Sequence, residues 1–176
     1  MPYAITLRLD GPARVAVEAM WDRLARDGIS SEAAVLGYPP HITLAVIADA
    51  ADEAALIRAL DQVTAGWTRR PVTFPGIGVF PGEPAVLWLA PVATQDLLSW
   101  HAAVGAVVPP GLLAAHYRRD NWVPHVTLAD DLVRDAAPSA LASVMPDCPV
   151  GAAEVTGVEL VHFRPVSIRW RRDLGG

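Results

Sequence analysis

The apolar positions of this chain change period several times, and each change marks an element. From Tyr3 to Leu9, the residues Tyr3, Ile5, Leu7 and Leu9 alternate with Ala4, Thr6 and Arg8, the two-residue period of a strand. Gly11-Pro12 interrupts it. Val17, Met20, Trp21 and Leu24 then recur at helical spacing up to Asp27-Gly28, which predicts a helix with one buried stripe. A second strand is expected from His41 to Ile47. Asp49 or Asp52 then caps a helix that buries Leu56, Leu60 and Val63 and ends near Gly66. Val72 to Phe80 reads as extended, broken by Pro75, Gly76 and Gly78.

The same order recurs afterwards. Ala85 to Leu89 is a buried strand, and Thr94 caps a helix carrying Leu97, Leu98, His101, Val104 and Val108, stopped by Pro109-Pro110. A loop with Tyr117, Arg118, Arg119 and Trp122 leads to a strand at His125 to Ala129. A shorter helix from about Pro138 to Met145 follows, since proline is tolerated in a first helical turn. Glu154 to Phe163 and Val166 to Arg172 close the chain as two strands joined at Arg164-Pro165. Two rounds of strand, helix, strand, helix, strand predict an α+β fold. The expectation is one domain over residues 1–176, bilobal, with pseudo-symmetric β-α-β-α-β halves at about 1–82 and 83–176. Antiparallel sheets would line a central cleft and helices would lie outside.

One string is repeated. Pro40-His41-Ile42-Thr43-Leu44 returns as Pro124-His125-Val126-Thr127-Leu128. Alternation along a strand puts His41 and Thr43 on one face and Ile42 and Leu44 on the other, and does the same for the second copy. A single histidine on a strand is usually a hydrogen-bonded structural residue. Two at matching places are different, because a buried sheet would have to satisfy each polar group or lose about 1–3 kcal/mol.

Composition narrows the chemistry. An apolar fraction of 52% and a mean hydropathy of +0.30 suit a packed interior, and no apolar run approaches the roughly 18 residues of a membrane span. The chain opens on an alternating segment, so no leader peptide is expected. A lone Cys148 forms no internal disulfide, which makes the cytoplasm the expected location. The net charge of -5 argues against a protein that tracks long nucleic acid by neutralising phosphates. Every basic residue is Arg; without Lys there is no Schiff-base amine, no lysyl-nucleotide intermediate and no P-loop lysine.

Two imidazoles and two hydroxyls suit phosphoester chemistry. One histidine can act as general base on the entering oxygen and its twin as general acid on the leaving oxygen. The threonine hydroxyls can donate to the non-bridging oxygens. No metal is needed.

These two motifs resemble the paired signatures of the 2H phosphoesterase superfamily, and within it the 2'-5' RNA ligase-like (cyclic phosphodiesterase) branch. The resemblance spans nearly the whole chain, from the opening strand to the closing pair. It implies a water-filled cleft and metal-independent hydrolysis of a cyclic phosphodiester, such as a 2',3'-cyclic nucleotide end, together with reversible 2'-5' RNA ligation. It makes His41 and His125 the acid/base pair, and Thr43 and Thr127 the hydroxyls that orient phosphate. No cofactor is implied. The expected partner is a small nucleotide or RNA terminus, taken by a monomer. Members often carry an Arg just after the second motif, where this chain has Ala129-Asp130. The alternative reading is a module that binds a nucleotide or phosphate in the same cleft without turnover.

Other candidates rank below the quartet. Tyr38 and Trp122, each three residues before a motif histidine, are candidates for the cleft mouth, although their parity favours packing equally. Arg8 on the polar face of the opening strand would meet a phosphate or stay solvated. His116 sits in the loop before the second motif, while His101 and His162 read as structural. Arg69, Arg70, Arg169, Arg171 and Arg172 read as surface charge. Asp130 has parity opposite to His125, so a metal site built on it is not expected. Gly76-Ile77-Gly78 lacks the third glycine and following helix of a dinucleotide loop.

Overall fold

A computed structural model describes residues 2–49, 51–148, 150–163 and 165–176; the turn expected at Arg164 lies outside the described residues. The opening strand β1 (Tyr3–Leu9) runs inside a sheet, flanked by β2 (His41–Ile47) and β7 (Val150–His162). The antiparallel order is β2-β1-β7-β3, with β3 at Arg70–Phe74, and β8 (Ser167–Asp173) also pairs with β7. A second antiparallel sheet has the order β4-β5-β6, formed by Gly76–Phe80, Ala85–Ala90 and Val126–Leu132.

The helices are α1 (Gly11–Arg26), α2 (Glu32–Val35), α3 (Glu53–Val63), α4 (Gln95–Val107) and α5 (Ala137–Val144). Their starts follow local chemistry. Asp10, Asp52 and Thr94 each accept from the backbone N–H three residues on, at 3.0, 3.0 and 3.3 Å, satisfying donors that have no helical partner. Asp52, not Asp49, caps α3. The one-turn α2 has no apolar stripe and was not expected.

The α+β class and the cleft-lining antiparallel sheets match the expectation, but the sheet boundary is not at residue 82. β4 joins the second sheet, whereas β7 and β8 join β1. Val72 to Phe80 is two strands in two sheets, separated at Pro75, which has no N–H to carry a ladder onward. β7 is long and central, with Val155, Val158, Leu160 and Val161 all buried, so it needs strands on both sides. The core between sheets and helices includes Ile5, Leu7, Met20, Leu24, Ile42, Leu44, Leu60, Phe74, Leu87, Leu89 and Leu128.

Both motif strands carry the same irregularity. Ile5 pairs Ala45 and Thr6 pairs Thr43, so Leu44 has no partner; Leu87 pairs Ala129 and Trp88 pairs Thr127, so Leu128 has none. Each is a bulge at the leucine after the motif threonine, and a bulge re-aims the side chains beyond it. No helix among the described residues is long and apolar enough to cross a membrane.

Candidate active site

Each motif histidine follows a proline, and the residue before a proline is restricted to extended conformations. Those residues, Pro39 and Val123, supply the anchors. His41 Nδ1 lies 2.8 Å from the Pro39 carbonyl oxygen, and His125 Nδ1 lies 2.8 Å from that of Val123. A carbonyl only accepts, so each Nδ1 carries the hydrogen and each Nε2 is left as the working nitrogen.

His41, Thr43 and Thr127 line a cavity of about 270 Å³, with Trp21, Tyr38 and Tyr117. His125 and Thr127 line an adjoining cavity of about 490 Å³, with Phe80, His116 and Trp122. Tyr117, Thr127 and Asp130 border both, so the two form one cleft. Both rings are partly exposed. Burial pulls the His41 pKa below the ordinary imidazole value; the Pro39 carbonyl opposes this, positive charge on His125 adds to it, and Glu159 opposes it. Burial also lowers His125, against the Val123 carbonyl. The two imidazoles are therefore neutral near pH 7 and close enough for one charge to be felt at the other.

The two halves of the site differ in what backs the ring. Beside His41, register aligns polar side chains across four strands: Thr6 opposes Thr43, Arg8 opposes His41, Glu159 opposes Thr6, and Arg171 opposes Glu159. The Tyr38 hydroxyl donates to Glu159 Oε2 at 2.6 Å and accepts from Thr6 Oγ1 at 2.7 Å, while its ring tilts against His41 at 4.8 Å between centroids. Burial, and then Glu159, push the Tyr38 hydroxyl pKa well up. Glu159 is 1% exposed, and its Oε1 accepts from Arg171 Nε at 2.7 Å and Arg8 Nη1 at 3.4 Å. Beside His125 the backing is aromatic. Phe80 meets the imidazole edge-on at 5.2 Å and stacks on Trp88 at 4.8 Å. Gly78 opposes Trp88 in the ladder, and a Cβ there would lie 2.2 Å from the indole.

Comparison with known proteins decides the family. A model of the 2'-5' RNA ligase superfamily matches residues 11–165. The chain belongs to that superfamily. Similar solved structures include TT0787 of Thermus thermophilus, 18% identical with a TM-score of 0.70 over 100% of this chain and 99% of that one. Escherichia coli LigT complexed with NADP+ is 18% identical with a TM-score of 0.61 over 100% of both chains. Kluyveromyces marxianus Usb1 is 13% identical with a TM-score of 0.62 over 98% of both. At these identities the likeness is one of fold. No curated protein matches the chain in sequence.

Within this superfamily protein, the four motif side chains share one cleft. Tyr38 lines it but is buried, with its hydroxyl turned to Glu159 and Thr6. Trp122 lines the wider part and stacks on His101 at 4.1 Å and 3°. Arg8 is not among the cleft-lining residues; it is ion-paired with Glu159 and Asp173. His116 borders the cleft. His101 is buried and donates from Nε2 to the Tyr117 carbonyl at 2.9 Å, while His162 faces Asp49 at 3.5 Å, edge-on to Tyr3. Both fit the structural reading. Among the described residues, no three His, Cys, Asp or Glu side chains gather where they would hold a metal.

Besides Arg8, two more residues depart from the sequence reading. Asp130 borders both parts of the cleft, because the Leu128 bulge reverses the parity a regular strand would have kept. Arg171 is not merely solvated charge, since it pairs with the buried Glu159. Glu159 itself was missed. A glutamate amid Val158, Leu160 and Val161 is its only mark in the sequence.

Proposed function

We propose that this protein is a metal-independent cyclic phosphodiesterase that hydrolyses the 2',3'-cyclic phosphate of a nucleotide or short RNA end, and that joins RNA 2'-5' reversibly when an RNA 5'-hydroxyl takes the place of water as nucleophile. The observation that carries the reading is the pair of Nδ1-anchored imidazoles, each two residues from a threonine, opening onto one cleft. LigT has been solved with NADP+, with ATP, with 3'-AMP and with phosphate, which supports a nucleotide-phosphate ligand for the same fold.

In this scheme one neutral Nε2 removes a proton from water as its oxygen attacks phosphorus. The P–O bond to one ribose oxygen breaks in line, and the other imidazole, protonated, donates to that leaving oxygen. Thr43 and Thr127 donate to the non-bridging oxygens, where negative charge builds. The product is a phosphomonoester beside a free hydroxyl. The two rings have exchanged proton states and reset through solvent.

The test is hydrolysis of 2',3'-cyclic mononucleotides in EDTA, followed by phosphorus NMR so that the regiochemistry is read as well. His41→Ala and His125→Ala should each lower kcat by about 10²–10⁴-fold, the usual worth of a general acid or base, while circular dichroism stays native. Turnover that persists in both variants overturns the proposal. Nucleotide binding without wild-type turnover would favour a binding module in the same cleft.

A further inference from the structure

The two motif strands are edge strands of different sheets. Among the described residues, β2 forms a strand ladder with β1 alone, its other edge carrying only an isolated bridge from Ile47 to Leu113 at its far end, and β6 forms a ladder with β5 alone. Backbone carbonyls on a strand edge need partners from elsewhere. Direct pairing of the two edges would bring the strands to about 4.8 Å and leave no room for a phosphate between their side chains. The motif threonine carbonyls are satisfied differently. Trp21 Nε1, from α1 on the first sheet, donates to the Thr127 carbonyl of β6 at 3.0 Å. Trp122 Nε1, from the loop entering β6, donates to the Thr43 carbonyl of β2 at 3.0 Å. Each lobe thus sends one indole across to the backbone of the other lobe's motif threonine.

We propose that Trp21 and Trp122 are positioning residues: a reciprocal pair of spacers that hold the two His-x-Thr strands at the separation one phosphate requires. The inference rests on the function proposed above and adds to it what fixes the width of the site. Both indoles are braced. Trp21 is 8% exposed in the core beneath α1, and Trp122 lies flat on His101, which is itself tied to the Tyr117 carbonyl. A side chain held at both ends sets a distance, whereas a mobile one would only fill space. The bonded carbonyls belong to the threonines, so a shift of either indole moves a motif hydroxyl and, two residues away, an imidazole.

Trp21→Phe and Trp122→Phe keep an aromatic ring and remove the donating N–H together with part of the indole's bulk. Trp170→Phe is the control, because its indole also donates, to Asp61 at 3.1 Å, on the outer surface. Against 2',3'-cyclic mononucleotides, Trp21→Phe and Trp122→Phe should each lower kcat about tenfold or more with KM within about threefold, the signature of a misplaced reacting group. Trp170→Phe should stay within about twofold. Loss of kcat no larger than in the control overturns the proposal. A second readout does not depend on turnover. By NMR, the indole N–H of Trp21 should exchange with solvent about tenfold faster in Trp122→Phe, because opening one brace frees the strand gripped by the other. If the wild type hydrolyses no cyclic phosphodiester, the proposed function fails and exchange alone judges the spacers; unchanged Trp21 exchange then overturns them too.

Discussion

At His41 and His125 two local forces oppose each other, and burial wins over the anchoring carbonyl at both. The base must be neutral and the acid protonated, so lowering both pKa values moves the whole kcat/KM profile to the acid side of the ordinary imidazole value near 6.5. His41 also feels a carboxylate, Glu159. That anion favours the protonated ring, so Glu159→Gln should move the His41 limb of the profile to still lower pH and leave the His125 limb in place. A profile that does not move would show that Glu159 serves stability alone. The substitution should also cost about 3 kcal/mol, at the low end for breaking a buried ion pair, because Arg171 is half-exposed and Arg8 keeps Asp173. At this scale the motif quartet was legible, because its chemistry is written in five adjacent residues. Glu159 was not, because its partners Tyr38, Arg8 and Arg171 come from three other segments.

Among the elements, β6 and β4 teach the most. A regular strand read from His125 turns Asp130 away from the cleft; the bulge at Leu128 turns it back, as the bulge at Leu44 does for Val46. Nothing in Leu-Ala-Asp announces this, since a bulge is set by the register of the partner strand. In β4, Gly78 is the residue that leaves room for the Trp88 indole. Gly78→Ala would place a methyl inside van der Waals contact with the ring, forcing β4 or Trp88 to move at a cost of about 1–3 kcal/mol. Urea unfolding measures that cost, and the His125 ring signals should shift with it, because Trp88 supports His125 through Phe80. An unchanged unfolding midpoint would mean the indole does not lie over Gly78.

For the whole molecule, three imidazoles titrate together. His41, His101 and His125 all have pKa values lowered, first by burial. The unfolded chain takes up these protons near pH 6.5, whereas the folded chain resists until lower pH. Unfolding therefore binds protons, and stability is full above about pH 6.5 and falls as pH drops from there through the folded values. Urea midpoints between pH 7.5 and 5.5 should trace this decline, and His101→Gln, which removes one of the three titrating rings, should flatten it. The carboxylates of Glu53 and Asp173, held low by Arg169 and Arg8, act only at lower pH, near the ordinary carboxylate range and below. A midpoint constant over that window would contradict the burial of these rings.

What the chain determined by itself is everything decided within a few residues. The alternation of β1, the stripe of α1, the cap at Thr94 and the two His-x-Thr strings all depend on neighbours in sequence, where spacing alone sets which side chains share a face. Tertiary structure decided the rest. It gave β4 to one sheet and β7 to the other, put Glu159 beside Tyr38 and His41, turned Asp130 inward, and left two strand edges for tryptophans to span. Those outcomes follow from how the whole chain buries its apolar surface and satisfies its backbone at once, a balance among distant segments that no local period encodes.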